Sequence, residues 1–171
     1  DRTLTFENTA AVTISGTLAA DAQGRKLVLA GSSTMVTVGA VTGGTNDLGI
    51  EVNGTGVFTF NAASTYTAST SVLNGTLRLK GDTGSIQSTS LVVTNPGIFE
   101  ITDAGTANPD RIPNGCAVTL KGGTFRIIAP SGANRSEQVG AVTCTTAGAS
   151  AVSKVMLNST GTRTSQLTAS S

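Results

Sequence analysis

Short alternating apolar bursts recur along this whole chain, and they limit what it can fold into. They stand at LTFE (Leu4 to Glu7), VTISG, KLVLAG, MVTV, IEVNG, VFTF and TLRLKG, and continue through SLVVT, IFEI, AVTLKG, TFRII, GAVTC and KVML (Lys154 to Leu157). Alternate side chains of a strand reach opposite faces, and Val, Ile and Thr suit a pleated surface. Period two with branched residues therefore means strands. No segment holds a helical period over a window of about 11 residues. The chain is expected to be all-β.

Glycine and asparagine punctuate the bursts. IEVNGTGVFTF, LVVTNPGIFEI and VTLKGGTFRI each read strand, turn, strand, with turns at Asn53-Gly54, Asn95-Pro96-Gly97 and Gly122-Gly123. Two architectures fit. Asn-Gly between alternating strands is a strong hairpin signal and points to an antiparallel β-sandwich. The same punctuation makes the corners of a right-handed parallel β-helix, in which each coil rests on the last. The shortness of the strands, a theme that returns at roughly 20–27 residues, and a Thr/Ser surplus suited to stacked outer ladders favour the β-helix. The chain is then a single β-solenoid domain over residues 1–171. At about 22 residues per coil it has roughly eight coils.

Composition narrows the classes of function. The chain holds 29 Thr, 17 Ser and 21 Gly, with 12% charged and 4% aromatic residues. Disorder is a poor reading, since disordered chains tend to be charged and poor in branched residues. A net charge of +1 with scattered Lys and Arg offers no stripe for phosphates, so nucleic acid is not an expected partner. No apolar run approaches the length of a membrane-spanning helix. The chain opens at Asp1 rather than Met, which fits a processed form or an excised piece. Cys116 and Cys144 lie about one coil apart. Paired, they would close a loop worth roughly 3–4 kcal/mol; unpaired, they would act as small buried hydrophobes. The composition looks extracellular, and that favours the disulfide.

The stretch TGVFTFNAASTYTASTSVLNGTLRL (Thr55 to Leu79) resembles the autotransporter-associated β-strand repeat, also called the passenger-associated transport repeat. The likeness runs through Gly56, Phe58, Thr59, Phe60, Ala62, Thr65, Tyr66, Thr67, Thr70, Val72, Asn74, Gly75, Thr76 and Leu77. It departs at Asn61, Ser64, Ala68 and Ser69, where that family often has Ser or Gly, Asn, Gly and Gly. Weaker likeness continues through RIPNGCAVTLKGGTFRI and VGAVTCTTAGAS. The resemblance implies a right-handed parallel β-helix, export to a bacterial surface, and a role as stalk or scaffold without catalytic residues. On that fold Phe58, Phe60, Val72, Leu77 and Leu79 are expected to stack inward. The Thr and Ser between them face out. Tyr66 packs at a coil edge, its hydroxyl reaching solvent or backbone.

Signals for chemistry are sparse. There is no His, which removes imidazole bases, His-ligated metals and Ser–His triads. Two isolated Cys make no structural zinc site, and no cofactor motif is present. Glu100, Asp103 and Asp110 lie near Arg111, and some β-helices act on polysaccharides through paired carboxylates. The plainer reading puts Asp103 and Asp110 in a solvated loop. Tyr66, Asp103 and Asp110 are the weak ligand candidates: Tyr66 for a glycan or host-protein contact on an adhesin, Asp103 and Asp110 for a polysaccharide-acting β-helix enzyme. The leading expectation is structural: an extracellular scaffold or fibre subunit. Neither end shows an amphipathic capping segment. Such a solenoid is expected to belong to a longer protein or, preferably, to stack end to end on copies of itself.

Overall fold

A computed structural model describes residues 1–102, 110–129, 134–146, 148, 151–159 and 164–170. The first coil supplies β1 (Arg2–Phe6), β2 (Val12–Ile14) and β3 (Leu18–Ala19). The second supplies β4 (Arg25–Gly31), β5 (Val36–Val38) and β6 (Val41–Thr42). Two long strands, β7 (Leu48–Phe60) and β8 (Thr70–Lys80), then each cross two faces. They are followed by β9 (Ser90–Thr94), β10 (Ile98–Thr102), β11 (Ala117–Lys121), β12 (Thr124–Ala129) and β13 (Arg135–Val139). The last coil carries β14 (Val142–Thr145), β15 (Lys154–Ser159) and β16 (Ser165–Ala169).

All named strand pairs are parallel, and the chain winds as a right-handed β-solenoid of about 6 turns. The sandwich alternative is thereby excluded. Successive pairings β1–β4, β4–β7, β7–β8, β8–β9, β9–β11 and β11–β14 build the first face. The second face stacks β2, β5, the rear of β7, the rear of β8, β10, β12 and β15. A third face begins with β3–β6 and ends with β13–β16. Between those pairs it is held by single links. Thr65 N–H donates to Val41 O, Ser64 N–H to Ser85 O and Ile86 N–H to Arg111 O. The turn count falls below eight because coil length varies. Bonds between neighbouring coils span 20 residues at Ser88–Ala68 and 30 at Thr164–Asn134.

Register threads the interior into columns. One runs Leu4–Leu29–Val52–Val72–Val93–Leu120–Cys144. On the second face Val12–Val36–Phe58–Leu77–Phe99–Phe125–Val155 lies beside Ile14–Val38–Phe60–Leu79–Ile101–Ile127–Leu157. Phe58, Phe60, Val72, Leu77 and Leu79 are fully buried. The Phe99 and Phe125 rings lie 5.4 Å apart, within the range of favourable aromatic pairs. Outside the second face, Thr13, Thr37 and Thr59 stack directly on one another. That is the expected outward ladder. Thr70 departs from it: it occupies the interior column between Ile50 and Leu91 and is fully buried.

The turn between the first and second faces explains the repeated strand–turn–strand theme. β7 does not fold back at Asn53-Gly54. It runs on through an irregularity in register, and its two halves pair with neighbouring coils instead of with each other. Gly75 (φ 65°) sits directly against this corner, where a Cβ would overlap the carbonyl oxygens of Gly54 and Gly56. Close backbone stacking, not a hairpin, is what glycine permits here.

Candidate functional site

The most polarised part of the interior lies on the third face, where the backbone ladder thins. Glu137 of β13 is buried, and its carboxylate accepts the Ile112 N–H at 2.9 Å. It also accepts the Arg111 N–H, at 3.2 Å to each oxygen. A side chain thus takes the place of the missing strand carbonyls between coils. Buried N–H groups need an acceptor, and this one is supplied from a neighbouring rung. Arg111 is wholly buried, and its Nε donates to the Gly84 carbonyl. Arg135, two residues before Glu137 and on the same side of β13, is also buried.

Burial dominates the acid–base behaviour of this cluster. It pushes the Glu137 carboxyl up to about 7, against the pull of the Ile112 and Arg111 N–H groups and the Arg111 charge; Asp110 adds to the rise. Burial lowers the Arg111 guanidinium to about 10, with Glu137 opposing. Arg135 is lowered for the same first reason. Cys116 is raised to about 11 by burial and then by Glu137.

A pH dependence of stability follows. Between about pH 4.5 and pH 7 the folded chain holds a proton on Glu137 that the unfolded chain has released. Stability therefore falls as pH rises through that window, by on the order of 3 kcal/mol from this group alone. Thermal melts at pH 5 and pH 7.5 should show the higher midpoint at pH 5. Glu137→Gln should remove most of the difference. An unchanged pH profile in that variant would refute the assignment.

A second charged row lies outside the second face. Glu100 is almost wholly buried between Arg78 on the rung before it and Arg126 on the rung after it, and it pairs with both. The row continues the threonine ladder: Thr59, Arg78, Glu100, Arg126 and Met156 share one register. Two cations on one carboxylate clamp three successive coils.

The residues singled out from sequence are scattered over this frame. Glu100 stands in the outer row, whereas Asp110 is exposed at the entrance to the third face, so the two carboxyls are not brought together as a pair. Asp103 lies outside the described residues. Tyr66 is not at a coil edge. It is fully buried, and its hydroxyl shares a 2.8 Å hydrogen bond with Thr70 Oγ1, the inward threonine. Burial drives its pKa far upward. In this position the ring has no face free for a ligand.

The disulfide is also corrected: Cys116 is a buried free thiol and Cys144 an exposed one. Cys144 is opposite Leu120, four residues beyond Cys116. That offset is about 13 Å of extended chain, whereas bridged Cα atoms lie within about 7 Å. Being one coil apart is insufficient when register is wrong.

Sequence reasoning passed over Arg135 and Glu137. Their signal was present in RSEQV, where Arg135, Glu137 and Val139 alternate like a buried strand face. Charge at two of the three inward positions disguised it. Among the described residues no group of three or more His, Cys, Asp or Glu could hold a metal ion.

The two end faces complete the exposed features. On the last coil Val152, Val155, Met156 and Leu157 are exposed, although Val155 and Leu157 occupy interior columns. On the first coil Leu4, Phe6 and Leu18 are only partly covered. Leu4, Leu18, Ala20, Leu27 and Leu48 line an apolar cleft of about 140 Å³, rimmed by Arg2, Asp21 and Arg25. No known protein-family model, no curated protein and no solved structure matches the chain.

Proposed function

We propose that the protein is structural: an extracellular β-solenoid serving as a scaffold, stalk or fibre, with coils that continue across its end faces. One observation carries this reading. The interior columns run the length of the described solenoid, from Leu4 to Cys144, Val12 to Val155 and Ile14 to Leu157, and are only partly covered on the first coil and exposed on the last. A solenoid end of this kind exposes apolar side chains and an unpaired strand edge, and both favour a further coil. The resemblance of Thr55–Leu79 to autotransporter passenger repeats supports export and a surface role.

Electron microscopy of the purified protein without denaturant tests the proposal. Six steps at ~4.8 Å give a body about 30 Å tall, and one further step at each junction gives an axial repeat near 34 Å. Filaments with that repeat are the expected result. A monodisperse monomer at millimolar concentration would overturn it. So would polysaccharide cleavage that is lost on Asp110→Asn.

A further inference from the structure

We infer that the coil covering each end face is supplied by a second copy of this chain, docked head to tail in the register of the internal columns. This rests on the structural reading above and adds the partner, the polarity and the contacts. The first and last coils each present their three faces in the same order, as β1, β2, β3 and as β14, β15, β16. Each end is therefore a complete three-sided rung. Extending the register by one step seats Leu4 of one copy over Cys144 of the next. The same step seats Val12 over Val155 and Ile14 over Leu157. Leu18 and Leu167, both partly buried, stand on the third face at opposite ends. Every predicted contact joins residues of the kind that already stack within the chain.

Strand direction sets the polarity. Head-to-tail stacking keeps every pairing parallel across the junction, as within the chain. Joining like ends would reverse strand direction there.

Cys144 makes the register testable. It is an exposed thiol at the end of an interior column, and Leu4 is its predicted opposite. Neighbouring Cα atoms on parallel strands lie about 4.8 Å apart, inside the ~4.4–6.8 Å range of disulfides. Leu4→Cys should therefore form, under mild oxidation, a ladder of dimers, trimers and longer species on a denaturing gel. Reductant should collapse it. Leu4→Cys combined with Cys144→Ala should give no ladder, and circular dichroism should show both variants folded.

A second variant avoids dependence on the new thiol. Leu157→Lys, on the exposed last rung, should leave the monomer folded and weaken association at least ~10-fold. Three results would overturn the inference: no ladder from folded Leu4→Cys, unchanged association of Leu157→Lys, or wild-type oxidation that stops at a Cys144–Cys144 dimer. Filaments that form without the Leu4–Cys144 cross-link would defeat this register while leaving the structural function standing. A strictly monomeric protein would defeat both.

Discussion

Gly75→Ala should destabilise the solenoid by more than about 4 kcal/mol, which is large for one added methyl group. Two costs combine. The residue has φ 65°, a conformation costing an L-residue roughly 1–2 kcal/mol. The new Cβ would also overlap the carbonyl oxygens of Gly54 and Gly56 and press on the Thr55 carbonyl carbon. All of these are backbone atoms of the preceding coil. They cannot rotate aside as a side chain would, and moving them breaks the β7–β8 pairing on both faces. Gly81 separates the two costs. It has φ 73°, but an added methyl group there would meet nothing within 4 Å, so Gly81→Ala should lose only the conformational part. Urea unfolding midpoints of the two variants measure the difference. Equal losses would show that crowding at the corner contributes nothing.

Phe58→Ala should cost about 3–5 kcal/mol, the range for deleting a buried aromatic ring. Phe58 is fully buried between Val36 below and Leu77 above, and its ring meets that of Phe6 edge-on at 5.9 Å. The cost should lie at the upper end, because a solenoid relaxes poorly around a hole. Ladder hydrogen bonds on neighbouring rungs fix how closely the coils approach, so Val36 and Leu77 cannot close in. At roughly 2–4 °C per kcal/mol for a domain of this size, the melting midpoint should drop by about 8–15 °C. Phe58→Leu retains most of the volume and should recover most of the loss. Calorimetry on both variants tests this. Equal melting points for the two would mean that the column does not depend on filled volume.

The first two faces were largely legible in the sequence. SLVVT is β9 to the residue, and IFEI, AVTLKG and TFRII fall within a residue or two of β10, β11 and β12. Branched apolar residues on those rungs announce both the strand and its inward side. The third face was not legible. Its rungs are short at Leu18–Ala19 and Val41–Thr42, and polar at RSEQV and SQLTA. A rung of two residues carries no period. In RSEQV two of the three inward positions are charged, and the buried Glu137 is matched by the backbone N–H groups of Arg111 and Ile112, which lie a coil away in sequence. Long-range satisfaction of this kind leaves no local trace. The same limit explains the cysteines. Sequence distance placed them on neighbouring coils, but only the register β11–β14 shows that they miss each other by four residues.

Variable coil length has a geometric consequence. One bond between neighbouring coils spans 20 residues and another spans 30, yet each step rises by the same strand spacing. Height is counted in rungs and girth in residues. Ten residues added at a corner widen the body locally and leave every column at its former level, whereas one added coil lengthens the body by ~4.8 Å. The molecule therefore behaves as a graduated ruler. Its flanks can be rewritten by insertion without changing the distance it measures.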